Sequence, residues 1–103
     1  MKYIATAAFD RDFGSLPPQH QRMFRDALRE DFLPAIAAGA FSGDHPWPPR
    51  LRVHQLAGTT TIYSMTWNFA RPDGRATFHL ETVDDEPMLV WRRIGTHDIQ
   101  CRP

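Results

Sequence analysis

The stretch TIYSMTWNFARPDGRATFHLETV, Thr61 to Val83, decides how this chain folds. In its first half Tyr63, Met65, Trp67 and Phe69 alternate with Ile62, Ser64, Thr66 and Asn68. In its second half Ala76, Phe78 and Leu80 alternate with Arg75, Thr77, His79 and Glu81. Successive side chains of a strand point to opposite faces, so this period predicts two strands, each with an apolar and a polar side. RPDG, residues 71–74, is a turn signal between them, and so short a connection requires antiparallel pairing. The result is half of a sheet with one face for a hydrophobic layer and one polar face, expected to be open.

Outward from this pair the chain continues in the same manner. DDEP (84–87) reads as an acidic turn and MLVWRRIG (88–95) as a last strand. On the other side, RLRVHQL (50–56) reads as a strand with Leu51 and Val53 opposite Arg52 and His54, preceded by a turn-rich loop, SGDHPWPPR (42–50). KYIATAAF (2–9) suits a first strand. DRDFGSL then leads to a helix with Ser15 as its cap and Pro17 and Pro18 in its first turn. Met23, Phe24, Ala27, Leu28 and Phe32 form its apolar stripe. Pro34 should stop or kink it, and FLPAIAAGAF starts a second short helix ending near Gly39, completing a helical hairpin. The order β-α-α-β-β-β-β predicts an α+β fold, a helical hairpin on one face of a mainly antiparallel sheet, in a single domain over residues 1–103.

Composition narrows the classes of function. Lys+Arg and Asp+Glu are both 12, a balance that counts against strong non-specific affinity for nucleic acid. Only Lys2 is a lysine, and the remaining cations are arginines, the better residue for bidentate phosphate contacts. Cys101 is the sole cysteine, so no internal disulfide is expected. No apolar run approaches the about 18 residues of a membrane span, and the first residues lack a signal-peptide layout, so the expected location is the cytoplasm with no membrane partner.

WRRIGTHDIQ, Trp91 to Gln100, places its polar chemistry at the end of the last strand. His97 follows Gly95 where its ring can reach over the polar face, and imidazole exchanges protons near neutral pH. Arg75, at the start of a neighbouring strand, can hold a phosphate and stabilise charge building on it. One of Arg92 and Arg93 must share the face of Arg75, and the register that decides between them is not fixed by the sequence. Thr66, Asn68, His79 and Arg52 occupy the same polar face. His54 and His79 lack metal-ligand spacing, and no metal or cofactor is expected.

These residues resemble a known family. FDRDFGSL (9–16), GRATF (74–78) and WRRIGTHDI (91–99), in that order, are similar to the opening, the arginine-led strand and the last strand of the RelE/ParE superfamily of bacterial type II toxins, over nearly the whole chain. The resemblance implies an mRNA interferase, an endoribonuclease often acting on the ribosome and silenced by a cognate antitoxin. It makes Arg75 the phosphate-stabilising residue and His97 the general acid or base. Arg92 or Arg93, Thr66 and Asn68 become substrate contacts. Glu81 or Asp98 would assist His97, without the sequence choosing between them. A gyrase-directed toxin and a non-catalytic protein-binding domain are the alternatives.

Overall fold

A computed structural model describes residues 1–59, 61–70 and 72–103. Five strands form one mixed sheet: β1 (Lys2–Ala5), β2 (His54–Gln55), β3 (Tyr63–Asn68), β4 (Gly74–Val83) and β5 (Glu86–Thr96), in the spatial order β1-β5-β4-β3-β2. Strand β1 runs parallel to β5, and every other pairing is antiparallel. The turn joining β4 to β5 is Asp84-Asp85, both at positive φ (52° and 63°), the conformation that a two-residue hairpin needs. The RPDG turn includes Arg71, which lies outside the described residues. Element types thus follow the expected order, and helices pack against a five-stranded sheet in an α+β fold.

The helices fall on other residues than expected. The first strand ends at Ala5, not Phe9, because Thr6 caps a helix: its Oγ1 accepts the Phe9 amide at 3.1 Å. Helix α1 spans Ala7–Gly14, and Ser15 is its C-terminal cap rather than the start of the next helix. Helix α2 (Pro18–Ala27) begins with Pro18 in its first turn and no side-chain cap. Pro34 neither stops nor separates the helices. A π-helical turn, Leu28–Phe32, runs directly into α3 (Leu33–Ala37), which places Pro34 in the first turn of α3, where a missing N–H is tolerated. The helical segment then ends at Gly39, whose left-handed φ of 101° suits glycine.

The core is aromatic. Phe9, Phe24, Phe32, Phe78 and Trp91 are buried together, with Trp91 ring centroids 5.3–5.9 Å from the other four. Such tilted and edge-on pairs add specific attraction to the area they bury. Two bulges set this core. In β5 the pairing skips Arg92, so Trp91 faces Phe78 and Ile94 faces Ala76, and both reach the core. In β3 the pairing slips between Thr66 and Asn68, so Trp67 is the extra residue; it stays in the core beside Met65, and the faces change after it. Each bulge places two residues opposite one and re-aims the side chains after it.

Beyond Ala5 the edge of β5 has no strand beside it. Asp12 of α1 takes that place: its carboxylate accepts Ile94 N–H at 3.2 Å and Arg93 Nε at 2.6 Å, with Arg93 Nη2 at 3.2 Å. The bond from Asp12 raises the Arg93 pKa further, partly opposed by burial. Replacing Asp12 by alanine leaves that amide and guanidinium without their acceptor, and is expected to destabilise the fold by about 2 kcal/mol after allowance for solvent screening. Thermal unfolding should then occur about 10 °C lower. An unchanged melting temperature would show that Asp12 does not hold α1 to β5.

Candidate functional site at one end of the sheet

The polar face is not open over its centre. Ser64, Thr66, Arg75 and Thr77 are buried, and a 3₁₀ segment, His97–Cys101, folds back over part of this face. Ile99 sits over Gly95, where an added Cβ would lie 3.0 Å from Ile99 Cγ2. Gln100 Nε2 donates to Ser64 Oγ at 2.9 Å. Two arginines hold the following residues: Arg92 Nε donates to the Pro103 carbonyl at 2.8 Å and Arg93 Nη1 to the Arg102 carbonyl at 3.3 Å. On this face two buried threonine hydroxyls, Thr66 Oγ1 and Thr77 Oγ1, have no hydrogen-bond partner among the described residues. A buried unpaired hydroxyl costs about 1–3 kcal/mol, so this face is more polar than its packing requires.

Strand register assembles the two residues expected to be catalytic. Thr66 pairs with Arg75, Arg75 with Gly95, and Gly74 with Thr96. Arg75, in β4, and His97, directly after β5, therefore stand at the same end of the sheet. Arg75 is 7 % exposed. Its Nε and Nη2 both donate to Asp73 Oδ2, at 3.0 and 2.7 Å, and its carbonyl accepts Trp67 Nε1 at 2.9 Å. Asp73 thus orients the guanidinium, while Trp67 holds the backbone of the same residue. His97 is exposed on the first residue of the 3₁₀ segment, and Asp98 beside it is exposed as well.

The other expected residues separate into two groups. Arg92, Arg93 and His79 are engaged within the fold. Arg92 Nη1 lies 3.0 Å from His79 Nδ1, and His79 Nε2 lies 2.7 Å from Glu81 Oε1. Because a guanidinium only donates, Nδ1 must accept, so the proton sits on Nε2 and is given to Glu81. Glu81 thus meets His79, not His97. On register, Arg93 shares the face of Thr77 and Arg75, while Arg92 is the bulged residue. Thr66 and Arg52, in contrast, line an open cleft of about 440 Å³ together with Arg50, Phe69, Ala70, Pro72 and Asp73. Asn68 borders a second, more apolar cleft with His20, Met23, Trp67 and Thr96, and its Oδ1 accepts the Ala70 amide at 3.1 Å.

Arg50, Phe69 and Asp73 were not expected at a site. Phe69 alternates with the core residues in sequence, but after the β3 bulge it emerges 44 % exposed, with the Arg50 guanidinium 4.7 Å from its ring centroid. Arg50 in turn pairs with Asp31 of the π-helical turn. No sequence pattern marks that bulge in advance.

The Asp73 carboxyl is held below its ordinary range by the hydrogen bond from Arg75, helped by a backbone hydrogen bond and by the charges of Arg75 and Arg52. A carboxylate with a lowered folded pKa contributes stability above its unfolded value, and that stability is lost as pH falls through the folded one. The melting temperature should therefore fall more steeply below about pH 4 in the parent than in Asp73→Asn. Parallel curves would show that the Asp73–Arg75 pair does not contribute.

Among the described residues no group of three or more His, Cys, Asp or Glu side chains is arranged to hold a metal ion, and no helix is long and apolar enough to cross a membrane. Comparison of the chain with protein-family models, curated proteins and solved structures finds no match.

Proposed function

We propose that this chain is the toxin of a type II toxin-antitoxin system, a RelE/ParE-like endoribonuclease that cleaves mRNA on the ribosome in the cytoplasm and is silenced by a cognate antitoxin. The observation that carries the reading is the register pairing Arg75 with Gly95, which brings Arg75 and His97 to one end of the sheet. The element order, a strand, helices and an antiparallel meander, supports it too.

The chemistry asked of these groups is transesterification. The ribose 2′-oxygen loses its proton and attacks the adjacent phosphorus, the bond from phosphorus to the 5′-oxygen breaks, and that oxygen gains a proton. A 2′,3′-cyclic phosphate and a 5′-hydroxyl result. His97 is the proton carrier, free in solvent to receive RNA. Arg75 stabilises the extra negative charge of the five-coordinate phosphorus, and Asp73 keeps its guanidinium from rotating.

A second reading has one observation in its favour: Asp73 already neutralises Arg75, which suits a gyrase-directed toxin or a protein-binding domain without catalysis. Sequencing of RNA 5′ ends in bacteria after induction separates the two. New ends inside coding frames, absent with His97→Ala, are expected. Growth arrest with unchanged ends would favour a target other than RNA.

A further inference from the structure

We infer that the cleft between β2 and the β3–β4 turn binds one nucleotide of single-stranded RNA, with its base on Phe69 and its phosphate on Arg52. The inference rests on the nuclease reading for its biological setting, but the cleft's own chemistry argues for it.

Among the described residues, two guanidinium groups, Arg50 and Arg52, and one carboxylate, Asp73, line the cleft. The roles of the two arginines differ. Arg50 is taken up by Asp31 and by the Phe69 ring, whereas the Arg52 guanidinium has no hydrogen-bonded partner among the described residues, its backbone alone bonding to Pro49 and His54. Its charge is felt at Asp73, which sets it near the Arg75–Asp73 pair. Arg52 also has a left-handed backbone, φ 46° and ψ 44°, uncommon for a residue other than glycine. The 3₁₀ turn Pro49–Leu51, anchored by fully buried Leu51, holds it there. A free arginine beside a neutralised carboxylate is suited to an incoming phosphate.

Phe69 supplies what a phosphate site alone lacks. The Arg50 cation lies against its ring, and the residue is still 44 % exposed. Aromatic rings beside a cationic groove are the means by which proteins bind unpaired bases. Thr66, 2 % exposed, belongs to the same lining and forms part of the cleft's floor. Thr66 is paired with Arg75 across the strands, so the nucleotide bound here adjoins the one cleaved. A phosphorylated peptide would use the arginine without needing the ring.

The test is binding of a fluorescein-labelled hexanucleotide with 2′-O-methyl riboses, which cannot be cleaved by 2′-oxygen attack, read by fluorescence anisotropy at low salt. Phe69→Ala is expected to weaken binding by roughly tenfold, the effect of losing one stacked base. Arg52→Gln should weaken it by about five- to tenfold. Arg11→Gln, an exposed charge on α1, controls for the loss of a cation and should bind as the parent does. Melting curves report whether each variant is folded. Parent-like binding by folded Arg52→Gln and Phe69→Ala, no binding by the parent, or stronger competition by a phosphoserine peptide would each overturn the inference. Cleavage of ordinary RNA, measured in parallel, keeps the two claims apart. Cleavage with an indifferent cleft removes only the cleft. Cleft-dependent binding without cleavage leaves the cleft standing and removes the nuclease.

Discussion

Alanine at His97 is expected to slow RNA cleavage by about 10²–10⁴-fold, the usual effect of removing a general acid or base. The same change should alter stability by no more than about 0.5 kcal/mol, because His97 is exposed and outside the core. That contrast is the useful feature of the experiment. Arg75→Ala cannot be read so simply: Arg75 is buried, and its removal leaves Asp73 without its two donors. Arg75→Lys keeps the charge but not the paired geometry, so a loss of cleavage in a folded Arg75→Lys protein would point to the guanidinium itself. Single-turnover cleavage rates with purified ribosomes and a defined message, beside melting curves, measure both quantities. A His97→Ala protein as active as its parent would remove the histidine from the chemistry.

The largest effect on stability is expected at Gly74. A Cβ built there would lie 2.4 Å from Trp67 Cε2 and 2.5 Å from Cζ2, closer than atoms can approach. Trp67 cannot withdraw cheaply. It is 2 % exposed, its Nε1 donates to the Arg75 carbonyl, and its ring meets Phe24 edge-on at 6.4 Å. Gly74→Ala should therefore destabilise the protein by about 3 kcal/mol, the upper part of the range for overpacking. The melting temperature would fall on the order of 15 °C. Because Gly74 and Trp67 flank Arg75, cleavage should fall as well even below that temperature. A Gly74→Ala protein with the parent's stability would mean that the bulge at Trp67 relaxes freely.

The strands were legible because period-2 alternation in Thr61–Val83 reports directly which side of a sheet is buried. Register and faces were not, for one physical reason: each bulge adds a residue on one strand and inverts the alternation beyond it. Phe69 therefore reads as core and stands in a cleft, while Trp91 and Ile94 both reach the core with Arg92 and Arg93 between them. Helix boundaries failed at Thr6 and Ser15 because a hydroxyl can begin or end a helix, and only the geometry decides. The polar face was visible in Arg75, Thr77, Ser64 and Thr66, but not the segment that folds back over part of it. Ile99 and Gln100 follow the last strand with no periodicity to show that the chain folds back.

The site was partly visible for related reasons. Arg75, Thr66 and Arg52 carry their chemistry in their residue types, and short turns require them to be near one another in space. The partners that tune them, Asp73 on Arg75 and Asp31 on Arg50, depend on side-chain directions in loops. Nothing in sequence spacing fixes those directions.

The central claim is that this chain breaks RNA through its own 2′-hydroxyl, using His97 and Arg75. Mass spectrometry of the fragments made from a defined message by the purified protein and ribosomes tests it directly. A 2′,3′-cyclic phosphate on one fragment and a 5′-hydroxyl on the other, both lost with His97→Ala, is the predicted result. Intact message, or fragments bearing 5′-phosphate and 3′-hydroxyl ends, would contradict it.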